Sequence, residues 1–182
     1  MNVDVDISSC KLKTKRLILR PWNLNDLDDL FEYASVDGVG QMAGWLPHEN
    51  KDVSMTIIKR FINGKSTFAI EYNRKVIGSI GIDEYDEEEL PEFKDKKGRE
   101  IGYVLSKDYW GQGLMPEAVK EVINYCFNVL KIDFLVCGHF VHNNQSKRVQ
   151  EKCGFKHYKL VKHKFKSGTF DTWLSILEND NH

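Results

Sequence analysis

Prolines and cysteines are scarce in this 182-residue chain, with four of each, and the cysteines stand apart. Cys10, Cys126, Cys137 and Cys153 form no Cys-x-x-Cys pair, which excludes a disulfide framework and a zinc site. The pattern is that of reduced thiols in a cytoplasmic protein. Long hydrophobic runs are missing too. The longest stretch without a formal charge is Phe134–Ser146, 13 residues, whereas a membrane span needs about 20. The first ten residues carry Asp4 and Asp6 and no apolar block, unlike a secretory signal. Nor is there a surplus of charge: 26 Lys+Arg against 27 Asp+Glu leave a net of -1. That balance argues against a general nucleic-acid binder. The six histidines show no His-x-x-x-His or His-Glu-x-x-His spacing, so no metal is expected. With no repeat and no Gly/Pro linker, residues 1–182 read as a single domain whose ordered core spans about 10–178. Apolar residues make up 41%, enough to bury a core.

The periodicities lay out an alternating chain. Arg16–Arg20 is strand-like and stops at Pro21. Asn23 or Asn25 can cap a helix with Leu24, Leu27, Leu30, Phe31 and Ala34 on one face. A second helix is expected from about Asp52 to Ile62, closed by Asn63-Gly64. Thr67–Tyr72 and Val76–Ile82 form a hairpin turning at Asn73-Arg74, and Glu100–Leu105 is a further strand. Met115–Leu130 is an amphipathic helix with Ala118, Val119, Val122, Ile123, Cys126 and Val129 on its apolar side. Phe134–Phe140 is continuously apolar, so it should be central and covered on both faces. Ser146–Lys152 is a short helix, and Phe155–Leu160 and Thr172–Leu177 are the last strands. This order predicts a mixed α/β sheet, antiparallel at first, with a parallel pair around the long helix.

One segment carries chemistry. Between the strand ending Tyr103-Val104-Leu105 and the long helix stands Tyr109-Trp110-Gly111-Gln112-Gly113-Leu114. A helix N-terminus exposes unpaired N–H groups and about half a positive charge. Glycines before it let the backbone approach an anion closely. The segment is either a phosphate cradle or a plain glycine turn. A P-loop is absent, and the third glycine of the dinucleotide fingerprint is replaced by Leu114, Met115 and Pro116. Such a cradle suits a pyrophosphate held by N–H groups alone.

Five blocks then stand in one order: Thr14–Arg20; Glu100-Ile101-Gly102-Tyr103-Val104-Leu105; Tyr109–Met115 with Glu117-Ala118; Asn143-x-x-Ser146-x-Arg148-Val149; and Glu151-Lys152-Cys153-Gly154-Phe155. In order and spacing they resemble the GNAT superfamily of acetyl-CoA-dependent N-acetyltransferases, in its RimJ/RimL-like branch of ribosomal-protein N-terminal acetyltransferases. The resemblance covers nearly the whole chain. It implies an acyl-CoA N-acyltransferase fold: a central mixed sheet of about seven strands, splayed at the cofactor cleft and flanked by about four helices. It further implies that the pantetheine pairs with the strand at Val104 and Leu105. CoA would bind through the loop Trp110-Gly111-Gln112-Gly113-Leu114-Met115, its pyrophosphate meeting the N–H groups of Gln112, Gly113, Leu114 and Met115. Asn143 would bind the pantetheine amide or fix its turn, with a plain helix cap as the alternative. Two positions depart from the family. Pro116 removes one N–H from the first helical turn. Gln150 stands where many relatives carry a tyrosine acid, which leaves Ser146, the branch serine, as the hydrogen-bond donor to the leaving sulfur. An ordinary helix N-terminal serine is the alternative.

An acceptor amine must lose a proton. At pH 7 that costs about 1 kcal/mol for an α-amine and about 4.6 kcal/mol for a lysine amine. A carboxylate acting through water suffices for the former. Glu100 is the leading candidate and Glu84 the second; each could instead be a solvated strand-end glutamate. From Asp83 to Glu92 seven of ten residues are acidic. This run is either a solvated hairpin loop or a negative rim that steers a cationic amine. Trp45, between the first two helices, offers an aromatic wall for the acceptor or a core residue. The expected partners are acetyl-CoA and an amine acceptor, without nucleic acid or membrane, in a monomer or homodimer. The acceptor is a protein or peptide N-terminal α-amine or a small amine such as an antibiotic, polyamine or amino acid. A non-catalytic acyl-CoA-binding module is the rival reading.

Overall fold

The computed structural model describes residues 1–180. Its strands are β1 (Leu12–Lys13), β2 (Ile18–Pro21), β3 (Thr67–Tyr72), β4 (Lys75–Asp83), β5 (Gly98–Leu105), β6 (Phe134–Phe140), β7 (Lys156–Phe165) and β8 (Gly168–Glu178). Its α-helices are α1 (Leu27–Ala34), α2 (Lys51–Gly64), α3 (Leu114–Asn128) and α4 (Asn144–Lys152). The strands form one mixed sheet in the order β1-β2-β3-β4-β5-β6-β8-β7. That is one strand more than expected, because the two-residue β1 pairs with β2 at Leu12–Leu19.

Local chemistry explains the boundaries. Asn23 and Asp26 form a reciprocal capping box around a 3-10 turn, Leu24–Asp26, that leads into α1. Asn50 accepts from the Val53 amide and starts α2. Asn73 and Arg74 both take positive φ, 49° and 65°, the geometry of a two-residue hairpin turn between β3 and β4. α3 stops short of the expected Leu130. Its Ala118, Val119, Val122 and Cys126 are buried as expected, but Val129 lies past the helix and is 64% exposed.

Strand alternation sends side chains to opposite layers. Phe68, Ile70, Leu135 and Cys137 join the core beneath α3 and α4, whereas Ala69 and Val76 pack beneath α1 and α2. β6 lies between β5 and β8 and is buried nearly throughout, as its apolar run predicts. The core reaches further toward the N-terminus than residue 10: Ile7 is buried in the main cluster, and the Val3 carbonyl accepts from Arg99 Nε at 2.6 Å.

The last hairpin is longer than expected. β7 is an edge strand paired on one side to β8, mostly exposed, and its lysines interrupt any strand-like apolar pattern. Charges on an edge strand hinder pairing with another chain.

One feature of the sheet creates a cavity. β5 and β6 pair in parallel at only three positions, Gly98–Phe134, Arg99–Leu135 and Glu100–Val136. β4 follows β5 to Leu105, and β8 follows β6 to Phe140. Beyond Glu100 the two central strands therefore diverge, and each is left with an unpaired edge.

Candidate active site

The divergence opens a cleft of about 500 Å³ between β5, β6, the loop before α3 and the start of α4. Glu100, at the last paired position, sits at its apex. Its side chain is half-buried. Burial, reinforced by the charges of Asp83, Glu89 and Asp86, raises its carboxyl to about 7. Space beside it is kept by Gly138 on β6: a Cβ there would lie 3.7 Å from Glu100 Oε1. Glu84 is placed elsewhere. It lies one residue past β4, exposed, 3.9 Å from Arg99 Nη2, and it borders a separate depression with Asp4, Asp6 and Lys65. The two glutamates, alike in sequence, differ entirely in environment.

The glycine turn has the expected form. Gly111 and Gly113 both adopt φ of +75°, in the left-handed region that favours glycine. Gly113 is the N-cap of α3 and supplies no side-chain cap, so the first-turn amides lack a side-chain partner. Gly111, Gly113, Leu114 and Met115 line the cleft, as do Val104, Leu105 and Trp110. Gln112 is exposed and not among the lining residues. Trp110 Nε1 donates to the Leu105 carbonyl at 2.9 Å, tying the turn to the end of β5. Cations not singled out in the sequence stand nearby. Arg16 Nη1 donates to the Gln112 carbonyl at 2.9 Å, and Arg148 and Lys152 of α4 line the cleft. This donor set fits acetyl-CoA: free amides and cations for its phosphates, and an unpaired strand edge for its amide-bearing arm.

α4 begins under the cap of Asn143, whose Oδ1 accepts from the Ser146 amide at 3.1 Å while its Nδ2 donates to the Met42 carbonyl. Asn143 is thus a helix cap, and the residue also lines the cleft. Ser146 faces the cleft, and its Oγ lies 2.7 Å from the hydroxyl of Tyr103. Behind it the buried Gln150 donates from Nε2 to the Gly138 carbonyl at 3.0 Å and to Ser146 Oγ at 3.3 Å. A carbonyl can only accept, so Gln150 Oε1 must face His139 Nδ1, 3.1 Å away, and that nitrogen carries a proton. Burial pushes the His139 pKa down, partly opposed by this bond. Tyr103 lies in the quoted strand block and His139 in the apolar strand, but the sequence assigns neither a role in the site.

One wall of the cleft is apolar. It is built from Val39, Met42 and Ala43, and from Phe140 and Phe165, whose rings lie 5.3 Å apart. Trp45 is not part of it; the ring packs on the α1–α2 core, against His48. The acidic run is less free than a solvated loop. Glu87 Oε1 accepts from the Asn2 amide at 2.6 Å, Glu92 from the Tyr158 hydroxyl at 2.5 Å, and both Glu89 oxygens lie 3.0 Å from Nε2 of His163, a cleft-lining residue. Among the described residues no cluster of three or more His, Cys, Asp or Glu is placed to hold a metal, and no helix is long and apolar enough to cross a membrane.

Known proteins resemble this chain in sequence and in fold. The uncharacterized N-acetyltransferase YoaA of Bacillus subtilis is 30% identical over 170 residues, spanning 88% of this chain and 92% of YoaA. The microcin C7 self-immunity acetyltransferase MccE, solved with acetyl-CoA and AMP, superimposes with a TM-score of 0.79 at 19% identity, covering 96% of this chain and 99% of the other. The ribosomal-protein-S5-alanine acetyltransferase of Vibrio fischeri gives 0.71 at 17% identity, covering 94% and 97%. The family model described as the acetyltransferase (GNAT) domain matches residues 16–156. With its splayed sheet, glycine turn and uncapped helix, the chain belongs to the GNAT family of acetyl-CoA-dependent N-acetyltransferases.

Proposed function

We propose that the enzyme acetylates the N-terminal α-amine of a protein or peptide, with Glu100 as the base and Ser146 as the donor to the departing sulfur. The observation that carries this reading is the half-buried Glu100 carboxyl, raised to about 7, at the apex of the cleft. Acetyl-CoA supplies the acetyl group as an activated thioester. The residues do the rest. Glu100, in its ionised form, which dominates above neutral pH, takes the ammonium proton through water. Moving a proton from an α-ammonium to a carboxylate of that basicity costs about 1 kcal/mol, and from a lysine about 4–5 kcal/mol. As the nitrogen–carbon bond forms and the carbon–sulfur bond breaks, the nitrogen releases its second proton to water and Ser146 hydrogen-bonds the developing thiolate. The apolar wall of Met42, Ala43, Phe140 and Phe165 receives the side chain beside the amine. A ribosomal-protein acetyltransferase among the structural neighbours agrees with a protein acceptor.

A panel of acceptors tests this. Peptides with a free α-amine should release CoA thiol, whereas N-blocked, lysine-bearing versions of the same peptides should release almost none. Fast turnover of polyamines or amino acids with no peptide turnover would overturn the reading.

The acidic loop should also act on encounter. With a cationic acceptor, kcat/KM should fall about two- to fivefold between low and physiological salt at constant kcat. Glu88 is the clean probe, because Glu87 and Glu89 are bound to Asn2 and His163. Glu88→Gln should flatten the salt response without changing the melting temperature, and a salt response equal to the wild type's would reduce the loop to a structural strap.

A further inference from the structure

We infer that Tyr103, which reaches Ser146 from the opposite wall of the cleft, is the positioning residue that frees the Ser146 proton for the leaving sulfur. The inference rests on the reading of Ser146 given above.

Ser146 Oγ has one hydrogen and two acceptor positions. Gln150 Nε2 fills one of the latter, and Tyr103 is placed to fill the other at 2.7 Å. The Tyr103 hydroxyl has a second acceptor in reach, the Ser146 carbonyl at 3.2 Å. That oxygen lies within α4, where the helix ladder already provides it with a donor. Two arrangements result. In one, Tyr103 donates to the carbonyl and Ser146 spends its proton on the phenol oxygen. In the other, Tyr103 donates to Ser146 Oγ, and the serine proton, its acceptor sites both filled, can point only into the cleft. A negative charge forming on sulfur favours the second. The switch moves no heavy atom.

Burial pushes the Tyr103 phenol well above its ordinary pKa, so it donates a hydrogen bond and keeps its proton. No tyrosinate forms; the thiolate leaves as the anion, stabilised by the Ser146 hydroxyl. The framework behind is buried: Gln150 and His139 are 2% and 4% exposed, and the Gly138 carbonyl, which can only accept, fixes the orientation of the Gln150 amide. Gln150 stands where relatives of this family place a tyrosine in sequence. Here the phenol arrives instead from β5, and it acts through the serine.

A double-mutant cycle tests the idea on Tyr103→Phe, Ser146→Ala and the double variant. Tyr103→Phe keeps the ring in its packing site. Its kcat should drop about ten- to thirtyfold, with KM for acetyl-CoA and calorimetric CoA affinity within about twofold of wild type. Ser146→Ala should lose about tenfold to several hundredfold, and adding Tyr103→Phe to it should change kcat by less than about twofold. Without any ligand, denaturant unfolding of the four proteins should give a coupling of about three- to tenfold in the folding constant, the signature of the bond itself. Placing 3-fluorotyrosine at position 103 retains shape and hydroxyl while strengthening the donor, so turnover should equal or exceed wild type. A Tyr103→Phe enzyme with wild-type kcat, or losses that multiply in the double variant, would overturn the inference while leaving Ser146 in its role. Wild-type turnover in Ser146→Ala would instead remove the reading on which it rests.

Discussion

Replacing Glu100 with glutamine is expected to lower kcat/KM by about 10²- to 10⁴-fold while raising thermal stability above pH 7. The first effect follows from loss of the base. The second follows from the direction of the shift. In the folded chain the carboxyl is raised from 4.5 to about 7. Between those values the native state binds more protons than the unfolded state, so stability declines as pH rises through that window and stays lower above it. The whole shift corresponds to about 3 kcal/mol. Since the group is only half-buried, solvent screening reduces the usable part to about 1–2 kcal/mol. Glutamine removes the stranded charge at equal volume, so the melting temperature at pH 8 should rise by about 2–8 °C, and by almost nothing at pH 4. The wild-type profile of kcat/KM should climb with pH through a limb near 7, and that limb should be absent from the residual rate of the variant. A variant with the wild-type limb would place the base elsewhere. A lower melting temperature at pH 8 would mean that the carboxylate is held by donors rather than stranded among Asp83, Asp86 and Glu89.

Gly113→Val should abolish useful affinity for CoA, raising Kd by about a hundredfold or more, close to 3 kcal/mol. Two costs add. A β-branched residue at φ of +75° is strained whatever space surrounds it. The new Cβ would also stand 3.6 Å from Arg16 Nη2, at the mouth of the uncapped helix where a pyrophosphate must come close to the backbone. Gly111→Ala separates the terms: the same φ applies, but no protein atom lies within 4 Å of the added carbon. It should reproduce the strain, about 1–2 kcal/mol of stability, with a much smaller loss of binding. Calorimetry on folded Gly113→Val that returned wild-type affinity would move the pyrophosphate away from this turn.

Where function depends on local chain geometry, the sequence was a sufficient guide. Gly111-x-Gly113 before an amphipathic run determines a left-handed turn and an open helix terminus, because only glycine takes those angles without strain. Asn73-Arg74 determines a tight hairpin, and the apolar run Phe134–Phe140 determines a central strand, because a strand covered on both faces has no polar side to alternate with. The tertiary structure decided everything that depends on which chain segments meet. Parallel pairing that ends after Glu100–Val136 turns a strand-end glutamate into the apex of a cleft, while Glu84, the same residue type, lies exposed beside Arg99. The fold also brings Tyr103 to Ser146 across 43 residues, and Glu89 to His163 across 74. No periodicity records such meetings. Hydrophobic pattern and turn chemistry report on a residue and its near neighbours, whereas the environment of a buried hydroxyl or carboxylate is set by whatever the sheet brings against it.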